Sequence, residues 1–294
     1  MTTTNRLSIL SNASRADLRL EPFPHLVIEN ALDAAVFAQL EAAFPADDLV
    51  VDGRAVKDTW FDYPACKVVK DERVAPLWRD FFAHHTSADF FAELVAIAGD
   101  ALRQLNPEME SRVGRRLEDF QVGMRPGGRG DPLANGADVS MECQFYVNYT
   151  RAPRTVRGPH VDRPSELFAA LLYFRNPDDG STGANLDICE AVDASVYPRQ
   201  GAVRIAELPA ELAPQHVRTV NTAPYKANTL VLFLNSPKSI HAVSPRSPTP
   251  LTRRHINFCA DLRFDLFDME LPARLALKKS LDGVPLLWRV GKHL

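Results

Sequence analysis

Between residues 142 and 262 the chain runs through "ECQFYVNYT", "FAALLYFRN", "NLDICEAV", "VRTVNT", "NTLVLFLNS" and "RRHINFCADL" with no helical pattern between them. Each run is rich in β-branched or aromatic residues and is bounded by turn-forming residues, which is the signature of a strand. Many short strands without intervening helices restrict the architecture to a sandwich, a jelly roll or a barrel. The expected class is α+β with a mainly β core, a cupin-type jelly roll carrying flanking helices.

The flanks read differently. "PHLVIEN" (residues 24–30) predicts a short strand. In "ALDAAVFAQLEAAFP" Ala35, Phe37, Leu40 and Phe44 recur near helical spacing, and Pro45 closes the helix. "SADFFAELVAIAGDALRQL" predicts a second amphipathic helix with Ser87 as its N-cap. "RPGGRGDPLANGAD" is a loop by its Gly, Pro and Asp content, and its Arg-Gly-Asp is read as coincidence. "PARLALKKSLDG" returns to a helical pattern. One domain over 1–294 is expected: a mainly helical part over 1–115, the β core over 116–265 and a helical segment over 266–294.

Composition excludes several classes of function. A net charge of -3 over 294 residues supplies no bulk attraction to nucleic acid or to an acidic membrane. No apolar run approaches the roughly 18 residues that span a bilayer. The N-terminus has neither a basic start nor a long apolar stretch, so no signal peptide is expected. Cys66, Cys143, Cys189 and Cys259 form no CxxC and read as free thiols of a reducing compartment, which predicts a cytoplasmic protein.

The chemistry starts in "RGPHVDRP". His160 and Asp162 lie two residues apart, so on an extended strand both project from the same side. A third metal ligand is sought among the eight histidines. His241 and His255 are the two in the β core downstream of His160. His241 is preferred, because it follows a buried run and a tight loop, "NTLVLFLNSPKSI", that aims a residue back into the core. Two imidazoles and one carboxylate occupy one face of an octahedron and leave positions open, as non-haem Fe(II) oxygenases require. A structural zinc site would be closed by four ligands, usually including thiolates.

Beyond His241 lies "RRHINF". A 2-oxoglutarate co-substrate chelates iron through its keto acid and leaves a second carboxylate needing a fixed cation. Arginine matches a carboxylate bidentately and stays charged. Alternation places Arg253, His255 and Asn257 on one face and Arg254, Ile256 and Phe258 on the other. If Ile256 and Phe258 pack outward onto helices, Arg253 faces the pocket; Arg254 is the alternative.

With these residues in place, the stretch from Glu142 to Asp261 resembles the Fe(II)- and 2-oxoglutarate-dependent dioxygenases, in particular their prolyl 4-hydroxylase-like branch. "GPHVDRP" resembles the proximal ligand motif, and "TLVLFLNSPKSIHAVSPRSPTPLTRRHINF" the distal stretch. The resemblance implies a double-stranded β-helix, and it implies His160, Asp162 and His241 as iron ligands with Arg253 on the co-substrate. It further implies Tyr149 and Tyr173 as co-substrate contacts. The activity implied consumes O2 and 2-oxoglutarate, hydroxylates an unactivated C–H bond and releases succinate and CO2, with ascorbate as a reductant. Related halogenases lack the carboxylate ligand; Asp162 is present, which implies hydroxylation. The branch often has a Gly-Gly-x-Leu turn where this chain has "STGANLDIC" with Gly183 and Ala184, a change confined to one turn.

For substrate, Arg151, Arg154, Arg157 and Arg163 flank the motif, and a small, anionic metabolite is expected there, with no nucleic-acid or membrane partner. The alternative is a cupin-like metal- or ligand-binding protein without 2-oxoglutarate turnover.

Overall fold

The computed structural model describes residues 6–56, 60–127, 136–152, 156–193 and 211–267. The segment expected to be a C-terminal helix, the Arg-Gly-Asp tripeptide and Arg154 lie outside these residues.

In chain order the strands are β1 (His25–Glu29), β2 (Trp60–Pro64), β3 (Val122–Met124), β4 (Val139–Thr150), β5 (Arg157–His160), β6 (Glu166–Tyr173), β7 (Leu186–Ala191), β8 (Val217–Ala223), β9 (Thr229–Leu234), β10 (His241–Val243) and β11 (Thr249–Leu262). The helices are α1 (Ala34–Ala42), α2 (Asp47–Val51), α3 (Ala65–Val68), α4 (Pro76–His85), α5 (Ala88–Leu105) and α6 (Met109–Val113). The large sheet has the order β1-β9-β6-β11-β4-β2, with β3 beside β4; the small sheet has the order β5-β10-β7-β8. From β4 onward the chain passes back and forth between the sheets, and β4-β11-β6-β9 faces β5-β10-β7-β8. This is the double-stranded β-helix expected from the strand pattern. β1 and β2, from the N-terminal part, extend the large sheet at its two edges.

The large sheet has two unlike faces, and period-2 alternation divides them. Phe145 and Val147 of β4, Phe168 and Leu172 of β6, Leu230 and Leu232 of β9, and Ile256 and Phe258 of β11 point outward into one apolar cluster with the helices. Trp78 of α4 is its hub, with ring centroids 4.7 Å from Phe145 and 5.2 Å from Phe81. Its indole N–H donates to the Leu40 carbonyl at 3.0 Å, so the buried polar atom is satisfied. α5 lays Phe90, Phe91, Leu94, Val95, Ala98 and Leu102 on the same cluster. Its first turn is capped by the Ser87 hydroxyl, which accepts from the Phe90 N–H at 3.4 Å. α1 is capped by Asp33, which accepts from Ala35 and Val36, and ends at Ala42, three residues before Pro45. Burying each large side chain contributes roughly 1.5–3 kcal/mol, so the helical layer clamps the outer face and leaves the inner face to the site.

Candidate metal centre

β5 and β10 are only four and three residues long. They are antiparallel neighbours, and His160 stands directly opposite His241 in the register. The two imidazoles therefore project from one face, with ring centroids 4.2 Å apart. Asp162 follows His160 by two residues and turns to the same side. Its Oδ1 lies 3.4 Å from His160 Nε2 and its Oδ2 3.5 Å from His241 Nε2. Potential ligand atoms of all three residues fall within 4.8 Å of one another, the only such group among the described residues.

Proton placement makes this a cation site. His160 Nδ1 is 2.7 Å from the Gly158 carbonyl and His241 Nδ1 is 3.0 Å from the Ser239 carbonyl. A carbonyl only accepts, so each Nδ1 carries the hydrogen and each Nε2 presents a lone pair. His160 Nε2 is buried without a hydrogen-bond partner. Burial, reinforced by the neighbouring His160, pushes His241 down to about 3, so its ring is neutral. Burial acts to raise Asp162, but His241, His160 and Arg157 outweigh it and hold the carboxyl well below its ordinary range. The Nε2 atoms of the two imidazoles and a carboxylate thus converge with no donor between them. A divalent metal fits that donor set, and the Nδ1–carbonyl contacts orient the rings for it.

On the inner face of the large sheet, β11 presents Arg253, His255, Asn257 and Cys259 in turn. Ile256 and Phe258 do pack outward, Phe258 against Phe81, His85 and Phe90. Arg253 is 1% exposed. It donates to the Tyr173 hydroxyl (3.2 Å), the Ala184 carbonyl (3.2 Å) and His255 Nδ1 (3.1 Å). Burial, with Arg253 adding to it, depresses His255 well below its ordinary value, so the runner-up histidine is neutral and serves the arginine. Every one of these partners is uncharged, and among the described residues no carboxylate pairs with Arg253. A buried guanidinium lacking a counter-ion carries an uncompensated desolvation cost, and a carboxylate entering beside it would relieve that cost. Arg254 points the other way, to Asp47 at 3.1 Å. Of the two arginines, Arg253 is the one buried on the inner face.

Tyr173 stands where the sequence placed it, fully buried against Arg253. Tyr149 does not. It shares the outward face with Phe145 and Val147, and its ring packs edge-on against Phe61 at 5.9 Å. Tyr146, opposite His255 in the β4–β11 register, is the β4 tyrosine that faces inward; its ring lies 4.8 Å from His255. Burial raises its phenol, which stays protonated as a donor. The turn at Gly183 and Ala184 is tighter than the sequence suggests. Gly183 has φ +78°, and a Cβ there would lie 1.7 Å from the Pro245 carbonyl oxygen. Ala184, at φ +62°, is also left-handed and directs its carbonyl onto Arg253.

Two of the arginines around the motif, Arg157 and Arg163, are paired with carboxylates. Arg157 is 3.5 Å from Asp162, and Arg163 is 2.6 Å from Glu166 and 3.4 Å from Asp261. No helix among the described residues is long and apolar enough to cross a membrane.

No protein-family profile and no curated protein matches the chain. Solved structures do. A prolyl 4-hydroxylase from Phytophthora capsici is similar over 93% of this chain and 72% of its own, with 14% identity and a TM-score of 0.48. A Pseudomonas putida prolyl-4-hydroxylase is similar over 87% of this chain and 100% of its own, with 15% identity and a TM-score of 0.39. HygX from Streptomyces hygroscopicus, solved with nickel and 2-oxoglutarate bound, is similar over 85% of this chain and 88% of its own, with 12% identity and a TM-score of 0.39.

Proposed function

We propose that the protein is an Fe(II)- and 2-oxoglutarate-dependent oxygenase that hydroxylates an unactivated C–H bond of a small metabolite. The observation that carries this reading is the pairing of two unmet needs: three converging metal-ligand atoms with no donor between them, and a buried guanidinium with no counter-ion on the sheet that faces them. A metal-binding cupin without 2-oxoglutarate turnover has no use for the second.

His160, Asp162 and His241 would hold the iron and leave positions open for co-substrate and O2. With both bound, the iron supplies the oxidising chemistry at the C–H bond, with succinate and CO2 as co-products. Arg253 takes the remote carboxylate of 2-oxoglutarate in a fork-to-fork pair, and the Tyr173 hydroxyl fixes the plane of that fork. Tyr146, rather than Tyr149, is the inward phenol able to donate to the co-substrate. Asp162 fills the third ligand position with an anion, which favours hydroxylation over halide transfer. The four free thiols support a reducing, cytoplasmic setting.

The test is succinate formation from 2-oxoglutarate with Fe(II), ascorbate and air. Uncoupled turnover that requires iron is expected even without substrate. A protein that binds iron and forms no succinate with or without a broad metabolite panel contradicts the reading.

A further inference from the structure

Two of the three metal ligands depend on connections between strands. Asp162 lies beyond the end of β5, in the connection to β6, and His241 is the first residue of β10, directly after the connection from β9. The pairing of β5 with β10 sets His160 opposite His241. No strand pairing fixes Asp162, and β10 is only three residues long.

Asn235, the first residue after β9, lies between these two connections and is 0% exposed. Its Nδ2 donates to the Arg163 carbonyl at 2.7 Å and to the Glu166 carbonyl at 3.0 Å. Those carbonyls bracket the turn that starts one residue after Asp162, which the Glu166 N–H closes onto the Arg163 carbonyl at 2.9 Å. Because a carbonyl only accepts, the amide nitrogen faces this turn and the amide oxygen faces away from it. That oxygen accepts from the Ser239 hydroxyl at 2.9 Å. Ser239, also 0% exposed, stands two residues before His241, and its carbonyl takes the His241 Nδ1 hydrogen at 3.0 Å. The Ser239 hydroxyl is itself held: it accepts from the Ser236 N–H at 3.1 Å and shares its hydrogen with the Ser236 carbonyl at 2.8 Å. The Asn235 N–H donates to the Leu167 carbonyl at 3.1 Å and ties the residue to β6.

The contacts run unbroken from the backbone beside Asp162, through one amide, to the ring of His241. They use both amide hydrogens and the amide oxygen at once. Aspartate has the same shape and lacks the donors. A satisfied buried amide stabilises a fold anywhere, and Asn228 is that purely structural case. Its Oδ1 accepts from the Leu32 N–H at 2.9 Å and its Nδ2 donates to the Leu32 carbonyl at 2.8 Å, with no metal ligand at either end. Asn235 differs in where its two ends stop: one residue from Asp162 and two residues from His241.

We infer that Asn235 is a positioning residue of the metal centre, setting the Asp162 carboxylate against the His241 ring; this rests on the oxygenase reading of the same site.

The test is calorimetric titration of the full chain with Mn(II), with the visible absorption of bound Co(II) reporting ligand geometry and a urea melt reporting stability. Asn235→Asp keeps the shape and loses both donors. It is expected to weaken Mn(II) binding by about 10- to 100-fold, the usual cost of losing a group that orients ligands, and to alter the Co(II) spectrum. Asn228→Asp makes the same chemical change at the amide remote from the ligands. It is expected to lower the urea midpoint and to leave Mn(II) affinity and the Co(II) spectrum as in the wild type. Ser239→Ala leaves the turn after Asp162 tied and is expected to weaken Mn(II) binding severalfold; it decides the question if Asn235→Asp does not fold. Wild-type Mn(II) affinity in Asn235→Asp, or in Ser239→Ala where Asn235→Asp does not fold, would overturn the inference. An equal loss of affinity in Asn228→Asp would also overturn it, since the effect would then be general destabilisation. If the wild type takes up no Mn(II), the oxygenase reading falls and takes the inference with it; if the wild type binds and Asn235→Asp binds equally well, only this inference falls.

Discussion

Two arginines of this protein are buried to the same degree and do opposite things. Arg246 is fully enclosed and meets its opposite charge: Asp179 is 2.8 Å away, with both side chains at 0% exposure. Its remaining donors reach Ser181, Thr150 and the Leu251 carbonyl. Burial acts to raise Asp179, but Ser181 and Arg246 outweigh it and keep the carboxyl ionised. Arg253 is equally buried and meets only a phenol, a backbone carbonyl and a neutral imidazole. The first guanidinium is complete within the chain and holds the loops around it. The second has no counter-ion among the described residues. Burial therefore does not distinguish a structural cation from a binding one; the presence or absence of a counter-ion does.

The largest expected effect comes from removing the open arginine. Arg253→Met should weaken 2-oxoglutarate binding by at least about 100-fold, because a desolvated charge pair is worth about 2–5 kcal/mol. Its unfolding free energy without co-substrate should change by no more than about 1 kcal/mol. Equilibrium denaturation beside a 2-oxoglutarate titration checks both halves. Arg254→Met should leave the titration unchanged, since that side chain serves Asp47 on the outer face. Arg246→Met should do the reverse. Breaking this buried pair should cost up to about 3–5 kcal/mol of stability, less whatever Arg175, 3.9 Å from Asp179, makes good, with 2-oxoglutarate affinity retained in the fraction that folds. Equal destabilisation by the two substitutions would break the comparison.

Glu142, a buried carboxyl on β4, gives a smaller, pH-dependent effect. Burial pushes its carboxyl up to about 7 from an ordinary value near 4.5, so between these pH values the folded state holds the proton more tightly than the unfolded chain. Stability therefore falls as pH rises through that window. The groups facing it are Arg125, Asp62 and Cys66. Glu142→Gln should remove the loss, raising stability relative to wild type by on the order of 2 kcal/mol above pH 7 and by little near pH 5. Urea melts at the two pH values decide it. The smallest effect is at the turn behind Arg253: Ala184→Gly should relieve left-handed strain and be neutral or stabilising by up to about 1 kcal/mol, whereas Gly183→Ala should be disruptive because its methyl has no room.

Much of this was legible because strand alternation is rigid. In "RRHINF" the outward preference of Ile256 and Phe258 already selects Arg253. The same rule was available for β4: Phe145 and Val147 are outward, so Tyr149 is outward and Tyr146 inward. The expectation for Tyr149 rested on resemblance and overlooked that signal. Other features had little local signal. β5 and β10 are too short to show a period, and their pairing, which brings His160 to His241, joins residues far apart in the chain. β2, "WFDYP", is a strand only because β4 offers it an edge. Arg246 sits in a Pro- and Ser-rich turn that reads as exposed loop, and Glu142 reads as an ordinary polar residue until its neighbours are known.

The central claim is that His160, Asp162 and His241 hold one divalent metal to which 2-oxoglutarate adds with Arg253 behind it. Calorimetric titration with Mn(II), followed by 2-oxoglutarate, tests it most directly. The account predicts a single equivalent of metal in the wild type, none in Asp162→Ala, and 2-oxoglutarate binding that requires both the metal and Arg253. Metal uptake undiminished in Asp162→Ala, or 2-oxoglutarate binding that is indifferent to the metal, would contradict it.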